Sequence, residues 1–169
     1  NEADASAPAQ RVTIIQQLDD NLDWRTFRVG DFGWGDTVHS PGANRAFYQD
    51  RLDLVTTQTL AVDVTATIDV QTGLASWVIQ TIDPMTGQPP TDALAGFLPP
   101  NDENGQGEGF VTYTIQPATA GTTGSLVDAE ARIVFDTNEP IDTPAIFNTL
   151  DLMAPDSTVT AAERYGDRN

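Results

Sequence analysis

The chain has 169 residues, enough for one domain with a sizeable core, and carries 25 acidic residues against 8 basic ones, a net charge of -17 at pH 7. That charge repels polyanions and so excludes nucleic acid as a partner. With no cysteine and one histidine, His39, disulfides, thiolate chemistry and His-rich metal centres are excluded as well.

All eight basic residues are arginine, and lysine is absent. Excess carboxylate without lysine keeps a protein hydrated in concentrated salt, where charge repulsion is screened, and points to a marine or halotolerant source. The absence of lysine also removes lysine-to-asparagine isopeptide bonds. No apolar run approaches the roughly 20 residues needed to cross a bilayer, so no membrane insertion is expected. The opening NEADASAPAQ lacks the layout of a signal peptide, so an export signal is expected outside this chain.

In chain order, residues 1–10 are small and polar and read as a linker or N-terminal arm. RVTIIQQ, Arg11 to Gln17, is a short β-branched strand. Asp19, Asp20, Asn21 and Asp23 then cluster in a turn, as an Asx-rich reversal or a calcium loop, the former preferred. Trp24 to Val29 is the next expected strand, followed by GDFGWGDTV, whose glycines suggest positive φ with aromatic rings held near a surface, where Trp34 either stacks on a sugar ring or plugs the end of a sandwich core, the latter preferred. His39 falls beside Pro41 and Gly42 and is expected in a solvated loop.

TLAVDVTATIDV alternates almost perfectly: Leu60, Val62, Val64, Ala66, Ile68 and Val70 share one face, and Asp63, Thr65, Thr67 and Asp69 the other. Gln71 to Gly73 turns the chain into LASWVIQTID, which gives a long antiparallel hairpin with one wet face. Ile82 to Asp92 is a loop, and Leu94 to Leu98 a helical turn or an apolar plug. GFVTYTIQP, Gly109 to Pro117, is a strand with Val111, Tyr113 and Ile115 on one face. LVDAEARIVFD follows, with Val127, Ala129, Ala131, Ile133 and Phe135 inward. The chain then breaks into an acidic turn before Ile146 and Phe147, which are expected to close the core. Residues 152–169 lose periodicity and read as a C-terminal linker toward a following module.

The expected architecture is therefore an all-β, antiparallel, immunoglobulin-like β-sandwich over residues 11–151 with a long central hairpin. DNLDWRTFRVGDFGWGDTV, IDPMTGQPPTDALAGFLPPNDENGQGEGFVTYTIQP and ARIVFDTNEPIDTPAIFNTLD together resemble a repeated β-sandwich domain of unknown function found in large bacterial secreted and cell-surface proteins. The resemblance covers about Ala7 to Asp151. It implies a secreted or cell-surface location beside calcium-binding and adhesive modules. It also implies a further strand ahead of Ala3 to Gln10 in similar sequences, so that a sheet edge here is open or filled by another chain through strand addition.

The leading expectation is a noncatalytic structural or adhesive module of an extracellular bacterial multidomain or filament-forming protein, whose partners are neighbouring domains or copies of itself. The alternative is a carbohydrate-binding module in which Trp34 and Tyr48, with Trp24 or Trp77, stack on sugar faces of a polysaccharide. Paired carboxylates such as Asp102 and Asp136 would suit a glycosidase, yet acid pairs arise here from composition alone, and a triad lacks its base. Calcium is the one cofactor with plausible ligands: Asp102, Asn104, Asp136, Asn138 and Asp142 offer hard oxygens.

Overall fold

The computed structural model describes residues 1–55 and 59–158. Among them are eleven β-strands and no helix: β1 Arg11–Gln17, β2 Leu22–Trp34, β3 Thr37–His39, β4 Tyr48–Val55, β5 Thr59–Asp69, β6 Leu74–Ile82, β7 Gly109–Pro117, β8 Leu126–Ala129, β9 Ala131–Phe135, β10 Ile141–Asp142 and β11 Ile146–Thr149. A six-stranded sheet runs β10-β9-β1-β6-β5-β4, and a three-stranded sheet, β3-β2-β7, packs on its inner face. β8 and β11 form a separate pair. Every pairing is antiparallel, and the fold is an all-β sandwich.

The alternating hairpin is the centre of the large sheet. β5 and β6 pair from Ala61 with Ile82 to Asp69 with Leu74. Residues directly opposite share a face, so Val64, Ile79 and Val12 form one inner row, and Ala66, Trp77 and Ile14 the next. Val62, Val64, Ala66 and Trp77 are essentially inaccessible. The turn between the strands needs Gly73: its φ is +73°, and a Cβ there would meet the Trp24 ring at 2.5 Å.

Several sequence expectations change on folding, among them LVDAEARIVFD, expected as one strand, which divides into β8 of the separate pair and β9 of the large sheet. The glycine-rich stretch, expected to hold its rings near a surface or to plug the end of the core with Trp34, is the end of β2, where Phe32 and Trp34 enter the core and Gly33 lets the Thr37 backbone approach. Residues 1–10, expected as a linker or N-terminal arm, lie along the domain as an arm: Ala9 is buried and bridges Leu98, and Asn1 Nδ2 donates to the Ala7 and Leu98 carbonyls. Ile146 and Phe147, expected as core closure, are 60% and 68% exposed. The core is closed instead by the apolar plug of Ala95, Phe97 and Leu98. The C-terminal linker reading falls partly outside the described residues, from 159 onward.

Candidate functional site

The carboxylates are placed by the turns they make. Asp19, Asp23, Asp69, Asp83, Asp92, Asp102 and Asp151 each accept, through Oδ1, the backbone N–H two residues later. This Asx geometry satisfies a backbone donor where no ladder can reach it. The Asp19 to Asp23 cluster is thus an Asx-rich turn, and Asp19 also accepts from the Asp128 N–H. Burial pushes the Asp19 carboxyl up, but the bonds from Asn21 and Asp128 outweigh it, and its pKa lies below the usual value.

The five residues named for calcium divide among separate tasks. Asp102 takes the N–H groups of Asn104 and Gln106 on Oδ1 and the Asn104 side chain on Oδ2, and the Gln106 bond leads in holding its pKa down. Asp136, a non-glycine residue at φ +52°, accepts from the Gln10 and Arg11 N–H groups at 3.0 and 2.8 Å and so fixes the start of β1. Asn138 donates its N–H to the Phe135 carbonyl. Asp142 forms a two-pronged pair with Arg132 at 2.7 and 2.8 Å, which lowers its pKa. Asp136 and Asn138 do share an open acidic groove of about 570 Å³ with Glu2, Asp4 and Glu139. Among the described residues no three His, Cys, Asp or Glu side chains converge as a metal-binding group. Asp102 does not line that groove, so Asp102 and Asp136 share no cleft there as a glycosidase pair would.

The aromatics named for sugar stacking point inward. Trp34 and Tyr48 are 7% and 8% exposed. Phe32 stacks on Trp34 at 6.4 Å and lies tilted against Tyr48 at 5.5 Å, and Phe97 meets Trp34 edge-on at 5.1 Å. Neither ring offers a free face to a sugar, because β2 and β4 turn both toward the opposing sheet. Trp77 is buried too, and Trp24 is half-buried over Gly73, its Nε1 donating to the Asp19 carbonyl.

His39 belongs to this cluster rather than to a solvated loop. It closes β3, with its ring 5.5 Å from Phe32 and 5.1 Å from Trp34. Nε2 is buried without a hydrogen-bond partner, and burial lowers the imidazole pKa. No sequence signal marked it, because its surroundings come from β2 and from pairing with Phe32.

A second polar feature crosses the core. Gln16 on β1 is 8% exposed, and its Nε2 donates to the Tyr113 hydroxyl on β7 at 2.9 Å. Tyr113 in turn packs with Phe27 and Trp77, the ring centroids 5.3 to 5.9 Å apart. This is a structural anchor, not a site open to ligand.

Comparison with known proteins gives one family. Residues 95–149 match a domain of unknown function, DUF7619, a stretch that runs from the apolar plug through β7 to β11. No curated protein and no solved structure matches the chain. The match agrees with a domain of unknown function as the resemblance, and says nothing of repetition, secretion or neighbouring modules.

Proposed function

We propose that the chain is a noncatalytic structural or adhesive module of an extracellular multidomain protein. The observation that supports this best is how the chemistry-bearing side chains are spent. Seven aspartates are engaged in Asx turns, and the rings of Trp34, Tyr48 and Trp77 are packed in the core. A side chain locked into a backbone turn or a close-packed core cannot readily reach a substrate. What remains on the surface is acidic and well solvated, which suits a salt-rich exterior medium.

The test uses antibody raised against the purified chain. Labelling of intact, unpermeabilised source cells, together with competition by the soluble chain for cell attachment, is the expected result. Labelling that requires permeabilised cells overturns the extracellular reading. Failure of the chain to compete, despite surface labelling, removes adhesion and leaves a spacer.

A further inference from the structure

The ladder between β2 and β7 is irregular in two places, and the wider one lies beside the central hairpin turn. Asp23 pairs with Gln116 and Arg28 with Thr114, so Trp24, Arg25, Thr26 and Phe27 stand against the single residue Ile115. Irregularities of this kind re-aim side chains and recur beside binding sites. This one is held firmly. Thr26 Oγ1 donates to the Asp23 carbonyl at 2.6 Å and accepts the Gln116 N–H at 2.8 Å, and Arg28 Nη1 donates to the Arg25 carbonyl at 3.0 Å. Phe27 goes fully into the core, while Trp24 stays half-buried and Arg25 exposed.

Trp24 lines an open groove of about 570 Å³, together with Asp20, Leu22, Asp23, Arg25, Val70 and Thr119. That volume falls within the roughly 300–1,000 Å³ of small-molecule sites. The ring is fixed before any ligand arrives. Its Nε1 donates to the Asp19 carbonyl at 3.0 Å, and Gly73, which does not line the groove, packs so closely on Cδ2, Cε2 and Cζ2 that it has no room for a Cβ. A side chain already immobilised loses little freedom on binding. The polar groups around it are uncommitted. Among the described residues the Asp20 carboxylate and the Arg25 guanidinium hold no hydrogen bond or ion pair, and Asp23 accepts the Arg25 N–H on Oδ1 and leaves Oδ2 free.

We propose that this groove binds a neutral pyranose unit of a glycan, stacked by its C–H face on Trp24. A pyranose presents an apolar face and a rim of hydroxyls, each both donor and acceptor. Trp24, Leu22 and Val70 suit the face, and carboxylates that only accept beside a guanidinium that only donates suit the rim. A cation would suit Asp20 and Asp23 but is opposed by Arg25. An anion is opposed by both aspartates and by the net charge of -17, so the mixture selects a neutral ligand. Every wall comes from interior segments, residues between 20 and 25, 70 and 118–120. The site does not rest on the extracellular reading, because it is read out on the purified chain alone.

The probes are methyl β-glucoside, methyl β-galactoside, methyl α-mannoside and cellotetraose, each titrated to about 20 mM into the full isotope-labelled chain while the indole N–H signals are followed. The expected result is a saturable shift of the Trp24 signal with at least one of the four, unchanged by added salt because the ligand is neutral. Asp20→Asn and Arg25→Gln, both at exposed positions, are each expected to weaken binding about tenfold with unchanged melting. Silence of Trp24 with all four sugars overturns the proposal, as does undiminished binding in both variants. A shift confined to Trp34 or Trp77 places the ligand elsewhere and overturns it too. A Trp24 shift produced by arginine ethyl ester, absent with the sugars and abolished by salt, assigns the groove to a cation and overturns it as well.

Discussion

The side-chain amide of Gln16 and the hydroxyl of Tyr113, 97 positions apart in sequence, meet at 2.9 Å across the sandwich and pin β1 to β7. Tyr113→Phe removes the acceptor and leaves a buried amide donor unpaired, at a cost of about 1–3 kcal/mol. The double variant with Gln16→Leu removes both partners and is expected to recover much of that loss. Urea unfolding of the four proteins checks it, and equal loss in single and double variants would show that the bond carries no coupling.

His39 sets a pH dependence of stability. Its pKa is lowered in the fold by burial, so the unfolded chain binds the proton more readily. The stability it contributes is therefore present above the unfolded value of 6.5 and is lost as pH falls below that toward the lowered folded value. Melting temperature is expected to decline as pH falls below 6.5. In His39→Phe, which retains the stacking on Phe32 and Trp34, that decline should vanish. A decline that survives the substitution assigns it to other groups.

Asp136 anchors the first strand. Asp136→Ala deprives the Gln10 and Arg11 N–H groups of their acceptor and places a β-carbon residue without a turn-forming side chain at φ +52°. The expected outcome is a lower melting temperature and faster amide exchange at the start of β1, with Asp136→Asn recovering much of both. Identical behaviour of the two variants would mean that the acceptor oxygen contributes nothing.

Gly73→Ala is expected to destabilise the central hairpin by more than the roughly 1 kcal/mol of an unfavourable φ alone, because its Cβ collides with the Trp24 ring. Chemical unfolding gives the value, and Trp24 fluorescence reports the displaced ring. A near-neutral substitution would show that the Trp24 ring moves aside at little cost.

Calcium removal is expected to leave the melting temperature unchanged. Asp102, Asp136 and Asp142 already hold donors in three separate places, and a metal would have to displace those bonds. A melting scan with chelator and with millimolar calcium decides it. A rise of several degrees with calcium would instead support a bound metal.

The sequence by itself determined what is periodic or local. Alternation from Leu60 to Ile68 marked β5 and its inner face, although Val70, expected on that face, falls past the strand and is exposed; the Gln71 to Gly73 turn marked the hairpin, and Gly109 to Pro117 marked β7 to the residue. The Asp19 cluster was legible as a turn because an Asx bond spans two residues. Tertiary structure decided everything that depends on which sheet covers which strand. Trp34, Tyr48 and His39 came inward because β2, β3 and β4 converge on Phe32. Ile146 and Phe147 stayed outside because β11 pairs with β8, apart from both large sheets. The half-covered row from Ile14 to Ile133 arises because the small sheet stops at β7 while the large one continues. Alternation tells a strand which face is apolar, but only the opposing layer determines whether that face is covered.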